Sequence, residues 1–106
     1  NNLVQVCSNL IINAIQSYDE QPGKIQFIVT GEGNKRLLFT IKDYGKGMPV
    51  EVKNRLLKEM FTTKGKRGTG LGLFMSNLTI KGRFGGELWF ESEEGQGSTF
   101  YFSIPC

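Results

Sequence analysis

Histidine is absent from this sequence of 106 residues, so no chemistry of this chain can use an imidazole of its own. Cysteine is also scarce, and the two cysteines, Cys7 and Cys106, are too few for the disulfide framework of a small secreted domain. Cys7 falls on the apolar face of a predicted helix, and Cys106 is the last residue. We therefore expect two free thiols in a reducing compartment.

Long apolar runs and strong charge of one sign are missing as well. No stretch approaches the roughly 20 apolar residues that a transmembrane helix needs, and no signal peptide opens the chain. The net charge is only +3, and the 13 basic residues are scattered rather than gathered into a stripe or a patch. We therefore expect a cytoplasmic location, either in a cytoplasmic protein or in the cytoplasmic part of a membrane-bound one. For this fragment we expect no nucleic-acid partner and no direct contact with a membrane.

What remains is the composition of a soluble globular domain, with 39% hydrophobic and 22% charged residues. The length predicts a single domain over residues 1–106, because it is too short for two hydrophobic cores. The chain starts at Asn1, without a methionine and already inside an amphipathic pattern. This start predicts a fragment excised from the C-terminal part of a longer protein.

Hydrophobic periodicity predicts the order helix, strand, strand, helix, helix, strand, strand. The predicted helices are residues 2–18, 49–60 and 70–81, the predicted strands are residues 24–31, 36–43, 87–92 and 98–104, and residues 61–69 form a mobile loop. In the third helix we expect Leu71, Phe74, Met75 and Leu78 to face inward. Because regular βαβ units are missing, this order predicts an α+β fold, a two-layer α/β sandwich with the helices packed on one face of a mixed, mostly antiparallel sheet.

A stripe of neutral carboxamides follows the first predicted helix at spacings of three and four residues: Asn2, Gln5, Asn9, Asn13 and Gln16. Solvated helix flanks usually carry lysine and glutamate, and asparagine is a mediocre helix former. Carboxamide oxygens are hard ligands that suit Mg²⁺. The stripe is therefore either an ordinary solvated flank or part of a magnesium site.

Asp43 ends the second predicted strand on the same face as Phe39 and Ile41, which are core candidates. A carboxylate in that position is costly unless hydrogen-bond donors surround it. It is either a turn carboxylate that faces the following glycines or a buried acceptor for a ligand amine, such as the exocyclic amine of adenine. In the second case Gly45 and Gly47 would let a planar base approach the backbone.

A glycine-rich turn, residues 68–73, opens the third predicted helix and has the character of a phosphate cradle. Leu71 stands where a Walker A loop requires lysine, and Leu73 stands at the third glycine of a dinucleotide fingerprint, so neither motif is present. A tight loop that packs a helix closely is the alternative. Three cations precede the turn and form either a lid over a triphosphate or a solvated loop: Lys64, Lys66 and Arg67.

Five stretches, in this order, resemble the ATP-binding family shared by histidine kinases, gyrase, the heat-shock chaperone ATPase and the mismatch-repair ATPase. They are residues 9–14 (NLIINA), 43–48 (DYGKGM), 61–64 (FTTK), 68–73 (GTGLGL) and 95–100 (GQGSTF), which together span nearly the whole chain. The resemblance implies a Bergerat-type ATP-binding fold with ATP and Mg²⁺ as cofactors.

The same resemblance implies residue roles. Asn13 would hold Mg²⁺, and Asn9 would help to bind the ion or the phosphates. Asp43 would accept a hydrogen bond from the adenine amine, with Ser98 in support through water. The implied catalytic residues are Asn9, Asn13 and Lys64. The implied nucleotide contacts are Asn9, Asn13, Gln16, Ser17, Asp43, Gly45, Gly47, Met48, Thr63, Lys64, Gly68, Thr69, Gly70, Leu71, Gly72, Leu73 and Ser98.

Three departures from the family pattern guide the assignment within it. Ser98 replaces the more frequent threonine, and Gln16 stands where many histidine kinases carry Lys or Arg, a missing charge that Lys64 would compensate. Hydrolysing members place a glutamate four residues before the Mg²⁺ asparagine, where this chain has Asn9, which cannot act as a general base. We therefore expect a kinase rather than a hydrolase.

The predicted reaction is transfer of the γ-phosphoryl group of ATP to a histidine in two-component signal transduction. Because the chain has no histidine, the resemblance implies that the acceptor lies on a dimerisation domain of the same protein. A downstream response regulator and a homodimeric full-length protein are implied as well. Two alternatives remain: an ATP-hydrolysing module of the gyrase or mismatch-repair type, and a non-catalytic nucleotide-binding interaction domain.

Overall fold

A computed structural model describes residues 2–19, 21–33, 35–60 and 69–105, with the backbone alone for residues 59, 60 and 69–72. The elements, in chain order, are the helix α1 (Asn2–Gln16), the strands β1 (Ile25–Glu32) and β2 (Arg36–Asp43), the helices α2 (Val50–Met60) and α3 (Thr69–Phe84), and the strands β3 (Glu87–Glu93) and β4 (Gly97–Pro105). The predicted order of elements is confirmed. Residues 61–68 of the predicted loop lie outside the described residues, and Thr69 already belongs to α3.

The four described strands form one sheet in the order β1-β2-β4-β3, and each neighbouring pair is antiparallel. Side chains of the three described helices and of one face of the sheet meet in a single hydrophobic cluster. The α+β, two-layer architecture is therefore confirmed. The sheet was expected to be mixed, and its described part is entirely antiparallel.

Strand register builds the sheet side of the core. Phe39 of β2 and Leu88 of β3 both pair with Phe102 of β4, and Phe90 pairs with Phe100. The rings of Phe39 and Phe102 stack with their centroids 4.5 Å apart, and those of Phe90 and Phe100 are 5.2 Å apart. Such aromatic pairs stabilise the fold beyond the effect of burying their apolar surface. The alternation of side chains along β2 and β4 places Asp43 and Ser98 on this same face, which the helices cover, at one end of the sheet.

Helix α1 contributes a single apolar stripe to this core. Val6, Leu10 and Ala14 of α1 are buried at steps of four residues, close to the helical period of about 3.6 residues. Cys7 lies beside them as a free, half-buried thiol whose pKa is raised by desolvation. No helix within the described ranges is both long and apolar enough to cross a membrane.

The inward face of α3 was predicted wrongly. Met75 and Leu78 are each 51% exposed, Phe74 is half-buried, and the side chain of Leu71 is not among those described. The buried face consists instead of Leu73, Ser76, Asn77 and Ile80. Because α3 packs against both other helices as well as the sheet, its buried arc includes two polar residues that a hydrophobicity pattern assigns to solvent.

Candidate functional site

Asp43 is the last residue of β2, and only 2% of its surface is exposed. Its Oδ1 atom accepts hydrogen bonds from the backbone N–H groups of Gly45, at 2.9 Å, and Ser98, at 3.2 Å. Two backbone donors offset part of the cost of burying a carboxylate. Among the described residues, no hydrogen bond reaches the other oxygen, Oδ2. The carboxylate is therefore fixed from one side and has acceptor capacity left on the other.

The turn between β3 and β4 packs, backbone against backbone, on the loop that follows Asp43. Gly97 has a φ of +109°, and a Cβ atom there would overlap the carbonyl oxygen of Asp43. A Cβ atom at Gly47, whose φ is +66°, would overlap the carbonyl oxygen of Glu93. The N–H of Gly95 donates to the Lys46 carbonyl at 2.7 Å. Glycine is required at positions 47 and 97 both for the backbone angle and for this close approach.

The C-terminal end of α1 holds the same loop from the other side. A Cβ atom on Gly45 would overlap the Ser17 side chain, whose hydroxyl donates to the Ala14 carbonyl at 2.8 Å. The Tyr44 N–H donates to the Tyr18 hydroxyl at 2.7 Å. The loop over residues 44–47 is thus clamped between α1 and the β3–β4 turn, which fixes its backbone before any ligand arrives.

An ion pair links α1 and this loop as well. The Nζ atom of Lys46 lies 2.9 Å from Oδ1 of Asp19, but both side chains are more than 60% exposed. Exposed pairs of this kind contribute little to stability. The backbone contacts, rather than this ion pair, position the loop.

The carboxamide stripe of α1 divides into two groups in the structure. Asn9 and Asn13 are half-buried, whereas Asn2, Gln5 and Gln16 are exposed. The Nδ2 atom of Asn9 donates to the Ser76 hydroxyl of α3 at 3.2 Å. This bond orients the Asn9 amide and leaves its carbonyl oxygen as the group available to a ligand.

Ser98 lies beside Asp43, and the described contact between them is the backbone hydrogen bond. The hydroxyl of Ser98 lies 2.8 Å from the hydroxyl of Ser92 instead. Ser92 is buried, and its carbonyl accepts a hydrogen bond from Nζ of Lys53 at 3.0 Å. Sequence reasoning missed both Ser92 and Lys53. One sequence signal could have indicated Ser92. It lies two residues beyond Phe90, so the alternation of a strand places it on the core-facing side of β3.

Other predicted site residues lie at or beyond the edge of the described region. Met48 is half-buried against the core, and Leu73 is a core residue with 2% exposure. For Thr69, Gly70, Leu71 and Gly72, the structure describes only the backbone, which forms the first turn of α3. Thr63, Lys64, Lys66, Arg67 and Gly68 lie outside the described residues. The predicted phosphate cradle and lid therefore stay predictions.

Comparison with known proteins identifies the class to which this fold and site belong. A family model described as histidine kinase-, DNA gyrase B-, and HSP90-like ATPase matches residues 1–106. The chain therefore belongs to this family of ATPases.

Relatives and solved structures narrow the class further. Sporulation kinase E of Bacillus subtilis is 38% identical over 105 residues, which cover 99% of this chain and 14% of the kinase. The adaptive-response sensory kinase SasA of Crocosphaera subtropica is 35% identical over 104 residues, which cover 95% of this chain and 27% of the kinase. The chain thus spans about a quarter or less of these two relatives.

Two solved structures match the chain as well. The nucleotide-free catalytic domain of histidine kinase ThkA matches with a TM-score of 0.76 and 34% identity, covering 98% of this chain and 67% of that chain. Full-length ShkA in complex with AMPPNP matches with a TM-score of 0.76 and 25% identity, covering 98% of this chain and 21% of that chain. Within its family, the chain is an ATPase domain of the histidine kinase type.

The contact between Gly97 and Asp43 predicts the effect of adding one methyl group. Gly97→Ala should lower the free energy of unfolding by about 2 kcal/mol or more, because it combines an unfavourable backbone angle with steric overlap. The control is Gly82→Ala in α3, where an added Cβ atom meets nothing within 4 Å and helix propensity should raise stability by up to about 1 kcal/mol. Urea unfolding measures both, and equal midpoints would contradict the proposed close approach.

Proposed function

We propose that this chain binds MgATP and donates the γ-phosphoryl group to a histidine on a separate dimerisation domain, as part of a two-component signalling protein. The observation that carries the proposal is the buried carboxylate of Asp43, which backbone donors hold through one oxygen only. Family membership supplies the context, because the class is named for ATPases and the relatives are named as kinases.

Adenine recognition is assigned to Asp43 on the basis of hydrogen-bond capacity. A purine with an exocyclic amine offers a donor, and Oδ2 of Asp43 is an acceptor that the described residues leave unused. Guanine presents a carbonyl oxygen at the corresponding position, and an oxygen facing a carboxylate is unfavourable. Asp43 thus favours adenine through both an attractive contact and a repulsive one.

The described residues fit a magnesium ion bound mainly through the nucleotide. They contain no cluster of three or more His, Cys, Asp or Glu side chains suited to a metal ion. Asn9 and Asn13 are half-buried one helical turn apart, and Mg²⁺ takes one or two protein oxygens beside phosphates and waters. We assign the ion to Asn13, with Asn9 binding the ion or the phosphates. When bound, the ion would neutralise charge on the phosphates.

Transfer rather than hydrolysis is proposed because of Asn9. An asparagine has no basic group with which to activate water, and the Asn9 amide is also engaged by Ser76. Phosphoryl transfer depends mostly on positioning and charge neutralisation, which asparagines, Mg²⁺ and the predicted lid lysine Lys64 would supply.

The partners follow from this reaction and belong to the same proposal. The acceptor histidine must lie outside this sequence, which has none. We assign it to a dimerisation domain of the same polypeptide, with a homodimeric full-length protein, a cytoplasmic location for this domain and a response regulator downstream.

A transfer experiment tests the proposed reaction. With labelled ATP and Mg²⁺, this chain alone should acquire no phosphohistidine, whereas a separately supplied histidine-bearing dimerisation domain of the same protein should acquire acid-labile, base-stable label. The control is that domain with its acceptor histidine replaced by glutamine. Label on serine or threonine of this chain, or phosphate release near ten per second without transfer, would contradict the kinase assignment and favour another kinase class or the hydrolase branch.

The adenine assignment predicts a loss of affinity in Asp43→Ala. Removing the charged acceptor of a ligand hydrogen bond should cost about 1.5–3 kcal/mol, which is roughly ten- to a hundredfold in the dissociation constant of ATP. Glu87→Ala, at an exposed position on the same sheet, is the matched control and should leave binding unchanged. Calorimetry measures both variants, and an unchanged ATP affinity in Asp43→Ala would refute the assignment.

The magnesium assignment predicts an effect that depends on the metal. Asn13→Ala should weaken ATP binding in Mg²⁺ by about tenfold, since an ion–oxygen contact is lost, but should change binding in EDTA far less. Gln5→Ala, in the exposed part of the same stripe, serves as the control. Binding titrations with and without EDTA distinguish the two conditions. Equal losses in both would show that Asn13 acts on the nucleotide directly or on the fold.

A further inference from the structure

Ser92 is a buried serine of β3 that faces the same side of the sheet as Asp43. Only 9% of its surface is exposed, and it pairs across the strands with Ser98. Its hydroxyl donates to the carbonyl oxygen of Gly97 at 3.1 Å. Because a hydroxyl has one proton, the 2.8 Å contact between the two serine hydroxyls must then have Ser98 as the donor. Both hydroxyl protons are thereby committed in one direction.

The Gly97 carbonyl and the Ser98 N–H belong to the same peptide unit. A trans peptide is planar, with its C=O and N–H directed to opposite sides, so fixing one end fixes the direction of the other. Ser92 holds the carbonyl end of this unit, and the N–H end donates to Oδ1 of Asp43 at 3.2 Å. One rigid plane therefore links the Ser92 hydroxyl to the carboxylate.

A second anchor restrains the backbone of Ser92 itself. Nζ of Lys53, on α2, donates to the Ser92 carbonyl at 3.0 Å in a partly buried contact. A hydrogen bond from a charged donor is stronger than one between neutral groups. The backbone of Ser92, and with it the position of the hydroxyl, is therefore restrained by a hydrogen bond from α2.

We propose that Ser92 is a positioning residue for nucleotide recognition: through the Gly97–Ser98 peptide it sets the orientation of the Asp43 carboxylate, and so the preference for a base with an exocyclic amine. The inference rests on the proposed assignment of Asp43 to the adenine amine. It adds that the base preference depends on a hydroxyl that does not touch the base.

The test compares two nucleotides in this chain and in Ser92→Ala. Calorimetry gives dissociation constants for ATP and for purine riboside triphosphate, which lacks the 6-amino group. The unmodified chain should bind ATP at least about tenfold more tightly than the amine-free nucleotide, and this ratio of dissociation constants measures the base preference. Ser92→Ala should reduce this ratio about two- to tenfold, the size of one neutral hydrogen bond, and leave affinity for the amine-free nucleotide unchanged. Ser92→Thr, which retains the hydroxyl, should restore the ratio.

Two further variants separate positioning from loss of structure. Ser92→Cys keeps the shape of the side chain but has a weak donor, so it should also reduce the ratio, even if Ser92→Ala does not fold. Ser103→Ala removes another buried serine hydroxyl, one that accepts from Arg36 at 2.9 Å on the opposite face of the sheet. This control should keep the ratio of the unmodified chain.

Each outcome decides a different claim. If Ser92→Ala and Ser92→Cys leave the ratio of the two dissociation constants unchanged, the positioning role of Ser92 is overturned. The same holds if they weaken the binding of both nucleotides equally. In either case the Asp43 assignment stands. If the unmodified chain binds the two nucleotides equally, the Asp43 assignment fails, and the inference about Ser92 fails with it.

Discussion

The burial of the Asp43 carboxylate is the constraint on which the rest of the site depends. A carboxylate with 2% exposure needs hydrogen-bond donors, and the fold supplies them from the backbone of two segments far apart in sequence. Gly45 donates from the loop that follows β2, and Ser98 donates from the start of β4. Because both donors are main-chain groups, holding the carboxylate costs no side-chain entropy beyond that of Asp43 itself.

The glycines make this arrangement sterically feasible. Gly47 and Gly97 combine positive φ angles with backbone contacts that leave no room for a Cβ atom, and Gly45 lies against Ser17. Three segments therefore meet at a single loop: the end of α1, the residues after β2 and the β3–β4 turn. A Cβ atom at any of these three glycines would displace the backbone around the carboxylate. Two of the stretches that indicate the family, residues 43–48 and 95–100, are far apart in the sequence but meet at this loop.

Local sequence signals predicted the elements well and their mutual contacts less well. The bounds of β2 follow from an alternating run that ends in Asp43, and the structure reproduces them as Arg36–Asp43. The inward face of α3 was predicted wrongly because Ser76 is buried by partners on α1, which no local pattern reveals. Ser92 was missed for a similar reason. Its role depends on cross-strand register, which two distant segments determine together.

The two ends of a nucleotide would meet different kinds of structure in this domain. At the Asp43 end, the proposed recognition depends on a backbone framework that is complete within the described residues. Two lysines beside this framework are already engaged, Lys46 with Asp19 and Lys53 with the Ser92 carbonyl. Charge neutralisation would therefore depend on Mg²⁺ at Asn13 and on Lys64, whose segment the structure does not describe. The proposed base selection thus depends on a framework that the described residues complete, whereas the proposed phosphate binding depends on Mg²⁺ and on Lys64, which lies outside those residues.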